Sequence, residues 1–219
     1  TAFPIKGVIW YQGEANVGRS EQYEDLFPAL ITDWRRQWRS DFPFYFVQLA
    51  NFMESKEIQP DSEWAALREA QTKALKLDQV GMAVTIDIGL ADDIHPKNKQ
   101  EVGRRLALVA LAGSYGKNVS SSAPVFQNYI IKGNKMELDF GQKQDGFQIK
   151  GTTLKGFTIA GPDRVFYPAE AMVHDGKIIL SSTEVPAPLA ARYGWADNPD
   201  CNLYGENGLP VAPFRTDCW

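Results

Sequence analysis

One histidine stands in a setting that suits proton transfer. His95 follows the acidic pair Asp92 and Asp93, just after an apolar run that predicts a strand. A carboxylate three residues before a histidine can hold the imidazole while the ring shuttles a proton, as serine-type hydrolases require. Asp92 has this spacing and Asp93 is the fallback partner. The competing interpretation is structural: His95, or Asp93, caps the N-terminus of a helix that begins near Pro96 or Lys97.

A second polar segment ends another apolar run far upstream, with the sequence Trp-Tyr-Gln-Gly-Glu-Ala-Asn at residues 10–16. Gly13 would let the backbone approach a ligand, and Asn16 or Gln12 would supply a side-chain amide donor. A preorganised donor aimed at a developing oxyanion is worth about 3 kcal/mol. Glu14 would bind sugar hydroxyls or brace the loop. The plainer alternative is a polar loop that connects a strand to a helix.

Strand and helix patterns alternate over the first half of the chain. Apolar residues at spacings of three and four predict helices over 21–39, around 64–75 and over 97–115, and apolar runs predict buried strands over 5–11, 44–50 and 82–88. This order indicates an α/β fold with a right-handed parallel sheet covered by helices, in which ligands collect beyond the carboxyl ends of the strands. Both candidate segments fall at such ends.

The pattern changes after Gly116. Short alternating runs separated by Gly-containing turns, of which Asp175-Gly176 is the clearest, predict β-hairpins. We therefore expect three parts: a partial α/β domain over 1–118, a β-rich accessory domain over 119–190, and an irregular tail over 191–219 that packs back on the core. The second histidine, His174, lies beside a turn and is expected to be exposed.

Composition limits the classes of function. The chain has 219 residues, 44% of them hydrophobic, which is ample for a core. The net charge is −4 and the 23 Lys and Arg are dispersed except for Arg35-Arg36, which argues against a nucleic-acid surface. No apolar run approaches the roughly 20 residues that cross a bilayer. No signal peptide follows Thr1, so we interpret the chain as a fragment of a longer protein.

The two cysteines, Cys201 and Cys218, both lie in the last twenty residues. They are either two unrelated small apolar residues or a local disulfide that ties down the tail; the disulfide is the prediction. No His or Cys neighbours them at metal-ligand spacing, so a metal site is not expected.

Five motifs occur in order along nearly the whole chain. They are the segment at 10–16, Arg-Glu-Ala-Gln at 68–71, Asp-Ile-His-Pro-Lys-Asn-Lys at 93–99, Arg-Tyr-Gly-Trp-Ala-Asp-Asn-Pro at 192–199, and Gly-Leu-Pro at 208–210 with Pro-Phe-Arg-Thr-Asp at 213–217. Together they resemble the sialate O-acetylesterases, which are similar to the SGNH hydrolases. The resemblance implies a flavodoxin-like three-layer core with a sandwich-like β-rich addition.

Residue by residue, the resemblance implies that His95 is the general base, with Asp92 its orienting acid. Gly13 and Asn16 fall where the family presents oxyanion donors, although the usual Gly-x-Asn-Asp form is replaced here by Gly-Glu-Ala-Asn. The family's serine belongs to an early Gly-Gln-Ser-Asn-like loop that this sequence lacks. The chain therefore resembles the C-terminal part of an esterase without its nucleophile, and we expect it to be inactive alone.

The implied function is that of a carbohydrate O-acetylesterase that releases acetate from O-acetylated sialic acid through a serine acyl-enzyme. Such a mechanism needs no metal or organic cofactor. The expected partners are an O-acetylated carbohydrate and the missing N-terminal half of the enzyme, and neither nucleic acid nor a membrane is expected. The family's extracellular glycan substrates imply a periplasmic or secreted location. The alternative function is a non-catalytic carbohydrate-binding module whose aromatic tail stacks on sugar rings.

Overall fold

The computed structural model describes residues 3–141 and 146–219. Its helices are α1 (Ser20–Trp38), α2 (Glu63–Lys73) and α3 (Lys99–Gly113), with short 3-10 helices at Glu14–Asn16 and Ala74–Lys76. Its strands are β1 (Val8–Trp10), β2 (Phe44–Val47), β3 (Val80–Ala83), β4 (Asn128–Lys132), β5 (Lys135–Asp139), β6 (Phe147–Ile149), β7 (Phe157–Ala160), β8 (Phe166–Pro168), β9 (Glu170–His174), β10 (Lys177–Ser181), β11 (Ala190–Tyr193), β12 (Leu203–Gly205) and β13 (Phe214–Arg215). None of the helices within these ranges is long and apolar enough to span a bilayer.

The first half forms three layers around a parallel sheet of order β1-β2-β3. Phe44 and Phe46 on β2 pack in one apolar cluster with buried residues of α1 and α2. Tyr45 faces the opposite side, where its hydroxyl contacts Ser114 at the end of α3. Gly81 on β3 is required here, because a Cβ would collide with Val109 of α3. The predicted α/β class with helices on both faces of the sheet is confirmed.

The third strand differs from the prediction. It spans Val80–Ala83 rather than 82–88, so the apolar residues that follow form a loop. Ile86 in that loop is buried although it lies in no strand, which explains why the apolar run was longer than the strand. As a result, His95 does not directly follow the end of a strand. It lies in the long connection between β3 and α3.

The second half contains two four-stranded antiparallel sheets, of order β4-β5-β10-β9 and β13-β11-β7-β8. Alternate residues of the two sheets share one apolar core; Met136 and Leu180 come from the first sheet, and Ile159 and Tyr193 from the second. A two-stranded pair, β12-β6, contributes to the same core through Leu203. The predicted hairpins are present, and His174 ends β9 with an exposed side chain.

The tail is not the irregular segment that we expected over 191–219. It supplies β12 and β13 and most of β11, and β11 pairs with both β7 and β13. Central strands such as β11 are held by hydrogen bonds to two neighbours, so the tail is an integral part of the second sheet. The many Trp, Pro and Gly residues of the tail are typical of irregular structure, so these short strands were not predicted.

The expected disulfide is wrong for this structure, because Cys201 and Cys218 are both free. Cys201 is partly exposed as a residue, but its Sγ lies against the backbone of Gly156 and Gly194. Burial raises the pKa of the Cys201 thiol to about 12. Cys218 is exposed. The first cysteine therefore acts as a small packed side chain.

Candidate active site

The loop of residues 12–16, here named the amide loop, follows β1 and is closely braced. The Asn16 N–H donates to the Gly13 carbonyl over 2.8 Å, which closes the 3-10 turn. Gln12 Nε2 donates to Asn16 Oδ1 over 2.7 Å. The Gly13 N–H and the Asn16 Nδ2 group have no hydrogen-bond partner among the described residues, so both are available as donors.

Gln71 of α2 holds the amide loop through a hydrogen bond to its main chain. It is buried, accepts a hydrogen bond from the Leu49 N–H over 2.9 Å and donates to the Gln12 carbonyl over 3.1 Å. A Cβ on Gly13 would lie 2.9 Å from Gln71 Nε2 and 3.2 Å from Leu49 Cδ2. Close approach of the backbone to α2 thus explains the glycine at this position.

Glu14 lies within the 3-10 turn, near two buried phenols. Desolvation by burial and, to a smaller extent, the nearby Glu14 carboxylate raise the pKa of Tyr11 to about 12. The pKa of Tyr23 is also raised, mainly by burial, with a smaller contribution from Glu14. Both phenols therefore stay protonated at neutral pH.

His95 lies in a more open environment. Its side chain is 84% exposed, and its Nδ1 is 3.7 Å from Asp93 Oδ1. That oxygen accepts the backbone N–H of His95 over 2.9 Å, so the carboxylate shapes the turn. A separation of 3.7 Å is too long for a hydrogen bond to the ring. Asp92, which the spacing favoured, is exposed and makes no polar contact with His95 in the described ranges.

The helix-capping alternative for His95 and Asp93 is wrong. The N-cap of α3 is Asn98, whose side chain accepts the Glu101 N–H over 3.1 Å. The helix begins at Lys99, later than the predicted position 97. His95 is therefore three residues outside the cap, and no capping role explains it.

The fold brings the two candidate segments to the same edge of the sheet. The amide loop follows β1, the connection that holds His95 follows β3, and carboxyl ends of parallel strands share one edge. Next to these segments, Lys99 Nζ at the start of α3 lies 5.4 Å from the centroid of the Tyr11 ring, just before the amide loop. Ile94, beside His95, packs on the same apolar cluster as Tyr11.

Arg68, in the Arg-Glu-Ala-Gln motif at 68–71, braces α2 against the tail. The side chain is fully buried and donates to the carbonyls of Leu49, Ala196 and Asp197 over 3.1, 2.8 and 2.6 Å. Burial lowers the pKa of Arg68 to about 9, while the nearby Cys201 and Asp197 act in the opposite direction. Arg68 therefore stays charged at neutral pH and joins α2 to the tail.

The tail motif at 192–199 also braces the edge of the sheet. Asn198 Nδ2 donates to the Met53 carbonyl over 2.6 Å, and Asn51 Nδ2 donates to Asn198 Oδ1 over 2.7 Å. Met53 in turn donates its N–H to the carbonyl of Ala91, next to Asp92. The tail thus supports the connection that holds His95. The Asn and Asp residues of this motif are the sequence feature that could have indicated its bracing role.

The tail aromatics are engaged within the protein. The Trp195 ring lies under the guanidinium groups of Arg192 and Arg215, with centroid distances of 5.0 and 4.7 Å, and its Nε1 donates to the Pro60 carbonyl. Tyr193 is buried in the core. These contacts engage both rings within the protein, and the sugar-stacking role of the tail stays a prediction.

Comparison with known proteins identifies the family. A family model for carbohydrate esterases described as sialic acid-specific acetylesterase matches residues 1–112, just over half of the 219 residues. The chain belongs to this family. The resemblance predicted from the five motifs is therefore confirmed.

Relatives match almost all of this chain. The sialate O-acetylesterases of Mus musculus and Homo sapiens are each 31% identical to it, over 238 and 240 residues that include 96% of the chain but 44% and 45% of their own length. The crystal structure of a carbohydrate acetylesterase from Xanthomonas citri matches with a TM-score of 0.94 and 46% identity, and covers 99% of this chain and 51% of that one. The chain thus spans about half the length of these family members.

Proposed function

We propose that this chain supplies the base and the oxyanion donors of a carbohydrate O-acetylesterase that releases acetate from O-acetylated sialic acid. The observation that carries the proposal is that the amide loop and the His95 connection follow parallel strands at one edge of the sheet, in a chain of this esterase family. The sialate O-acetylesterases among its relatives favour sialic acid as the sugar.

In the proposed first step, His95 takes the proton of a serine hydroxyl while the serine oxygen attacks the acetyl carbonyl carbon. The Gly13 N–H and the Asn16 Nδ2 group donate to the oxyanion of the tetrahedral intermediate. As the intermediate collapses, the imidazolium protonates the departing sugar oxygen. Water then attacks the acetyl-serine while His95 takes its proton, and the imidazolium returns that proton to the serine oxygen as acetate leaves. Glu14 would bind the sugar hydroxyls or brace the loop.

The nucleophilic serine is proposed to come from a segment outside residues 1–219, where it would complete the sheet at β1. Among the described strands, β1 pairs only with β2, so its other edge is open. Ile9 at its centre is 69% exposed and lies on the side of the sheet that α3 covers over β2 and β3. An added strand and helix would bury Ile9.

The direct test uses the protein that carries this chain together with its serine-bearing segment. We expect it to release acetate from O-acetylated sialic acid faster than from acetylated xylan, and a phosphonate ester to label one serine. Acetate release from xylan alone would overturn the choice of sugar. No release from any acetyl ester would overturn the esterase proposal.

The isolated 219-residue chain tests where the nucleophile lies. It should show no burst of chromophore from 4-nitrophenyl acetate, because a base without a nucleophile forms no acyl-enzyme. A burst together with phosphonate labelling of one serine would place the nucleophile within this chain.

The proposed added strand is tested at Ile9. Ile9→Lys in the longer protein should lower its melting temperature, because the added strand and helix would bury the lysine. Ile130→Lys, at an exposed site on β4, is the matched control.

A further inference from the structure

The hydrogen bonds of the amide loop form a line of side chains behind Asn16. The Tyr23 hydroxyl lies 3.2 Å from Gln12 Oε1 and 3.3 Å from the Gln12 carbonyl. Gln12 Nε2 then donates to Asn16 Oδ1 over 2.7 Å. With the Gln12 oxygen facing Tyr23, only the Gln12 nitrogen faces Asn16.

This line is anchored in the core. Tyr23 is 4% exposed and Gln71 is 1% exposed, so neither can move without disturbing the packing of α1 and α2. Gln71 holds the Gln12 carbonyl, and Tyr23 holds its side chain. The raised pKa of Tyr23, caused mainly by burial, keeps its phenol protonated and able to donate. Gln12 is therefore fixed at both its main chain and its side chain.

The orientation of the Asn16 amide decides whether it can serve an oxyanion. An amide has an accepting oxygen and a donating nitrogen, and exchanging them turns an attraction for an anion into a repulsion. Because Asn16 Oδ1 is held by Gln12, the Asn16 Nδ2 group faces away from Gln12 and keeps its protons for another acceptor. The same side chain, rotated by half a turn, would present an oxygen to the oxyanion.

We propose that Gln12 is a positioning residue, anchored by Tyr23, which fixes the Asn16 amide with its nitrogen toward the reacting ester. This role rests on the proposed function, because it assumes that Asn16 is an oxyanion donor. It replaces the role of oxyanion donor, which the sequence offered to either Asn16 or Gln12. Gln12 acts through Asn16 and touches no substrate.

The test is Gln12→Glu in the protein that contains the serine-bearing segment. Glutamate keeps the shape but can only accept, so Asn16 would turn its nitrogen toward position 12 and its oxygen toward the ester. We expect kcat for 4-nitrophenyl acetate to fall about 10- to 100-fold with KM within about twofold, since the interaction is realised in the transition state. Gln22→Glu, at an exposed position of α1, makes the same charge change and should leave kcat unchanged.

A double-mutant cycle separates positioning from other effects. Asn16→Ala should itself lower kcat, and Gln12→Glu should then have less than about a twofold further effect. An equal loss from Gln12→Glu in both backgrounds would overturn the positioning role while leaving the oxyanion assignment intact. Wild-type kcat in Asn16→Ala would overturn the assignment of Asn16 and, with it, the role of Gln12.

Tyr23→Phe tests the anchor. Loss of one neutral hydrogen bond should lower kcat about two- to tenfold, again with little change in KM. The side-chain amide resonances of Asn16 give a readout that does not need turnover: they should shift strongly in Gln12→Glu and weakly in Tyr23→Phe. Unchanged Asn16 resonances in a folded Gln12→Glu protein would overturn the proposal.

Discussion

The amide loop and the His95 connection lie at the same edge of one sheet but differ in how they are held. The amide loop is bound to buried Gln71 and Tyr23 by hydrogen bonds at both its main chain and its side chains. The His95 ring is 84% exposed and lies beyond hydrogen-bond distance from the nearest carboxylate, Asp93. One half of the proposed site is preorganised within this chain, and the other half is not.

This difference has a physical meaning for catalysis. Oxyanion donors are effective because they are fixed before charge develops, so their support must come from the folded core. A base must meet its nucleophile, and catalytic hydrogen bonds often tighten only when the complex forms. Under the proposed function, in which the serine comes from another segment, we therefore expect His95 to be exposed in this chain.

The largest expected effect comes from His95→Ala in the longer protein. We expect kcat for acetyl esters to fall by on the order of 10³-fold or more, because members of a catalytic triad act as a unit. The free energy of unfolding should change by less than about 0.5 kcal/mol, because the side chain is exposed. His174→Ala, at the exposed end of β9, is the control and should change neither. Wild-type kcat in His95→Ala would remove His95 from the mechanism.

The next largest effect is expected at the amide loop, the preorganised half of the proposed site. Asn16→Ala should lower kcat about 10²- to 10³-fold, the typical loss for one oxyanion donor. Asn118→Ala, at an exposed site beyond α3, is the matched control. Steady-state kinetics with an acetyl ester measure both variants. An effect on KM without one on kcat would mean that Asn16 binds the sugar and does not stabilise the oxyanion.

A stability measurement tests how closely the amide loop is held. Gly13→Ala should destabilise the chain by about 1–3 kcal/mol, because its Cβ would press on Gln71 and Leu49. Gly103→Ala is the control: it lies in α3 with open space at the Cβ position and should stabilise by about 0.4–1 kcal/mol. Urea unfolding of the isolated chain reports both. Equal stability of the Gly13→Ala variant would mean that the amide loop is not closely held.

The smallest expected effect distinguishes which carboxylate, Asp92 or Asp93, interacts with the His95 ring. Unit charges about 4 Å apart in water interact by about 1 kcal/mol, so Asp93→Asn should lower kcat about fivefold while its side-chain oxygen still holds the turn. Asp92→Asn should change kcat less than twofold if the geometry of the structure persists. The reverse order would show that Asp92 turns toward the ring in the complete site, as its spacing to His95 predicted.

Much of the fold was accessible from pattern alone, and the errors have identifiable causes. The three helices were located because each carries an apolar face at helical spacing, as in Tyr23, Phe27 and Ile31. The third strand was placed too late because Ile86 is buried in a loop, and burial does not distinguish a loop from a strand. The strands of the tail were missed because they are two to four residues long, too short for a period to appear.

The sequence by itself determined the order of the chemical groups: the Gln-Gly-Glu-Ala-Asn segment, the histidine after two acids and the family to which they belong. It could do so because these residues are local and their types carry the chemistry. Only the tertiary structure decided what holds them. Gln71 reaches Gln12 across 59 positions and Arg68 reaches Ala196 across 128, and such partners depend on how the elements pack. The Asn16 amide contacts Gln12, only four positions away, but Gln12 is itself held by Tyr23 and Gln71, which are 11 and 59 positions from it. Those partners come from α1 and α2, so the packing of the helices decides what fixes Gln12.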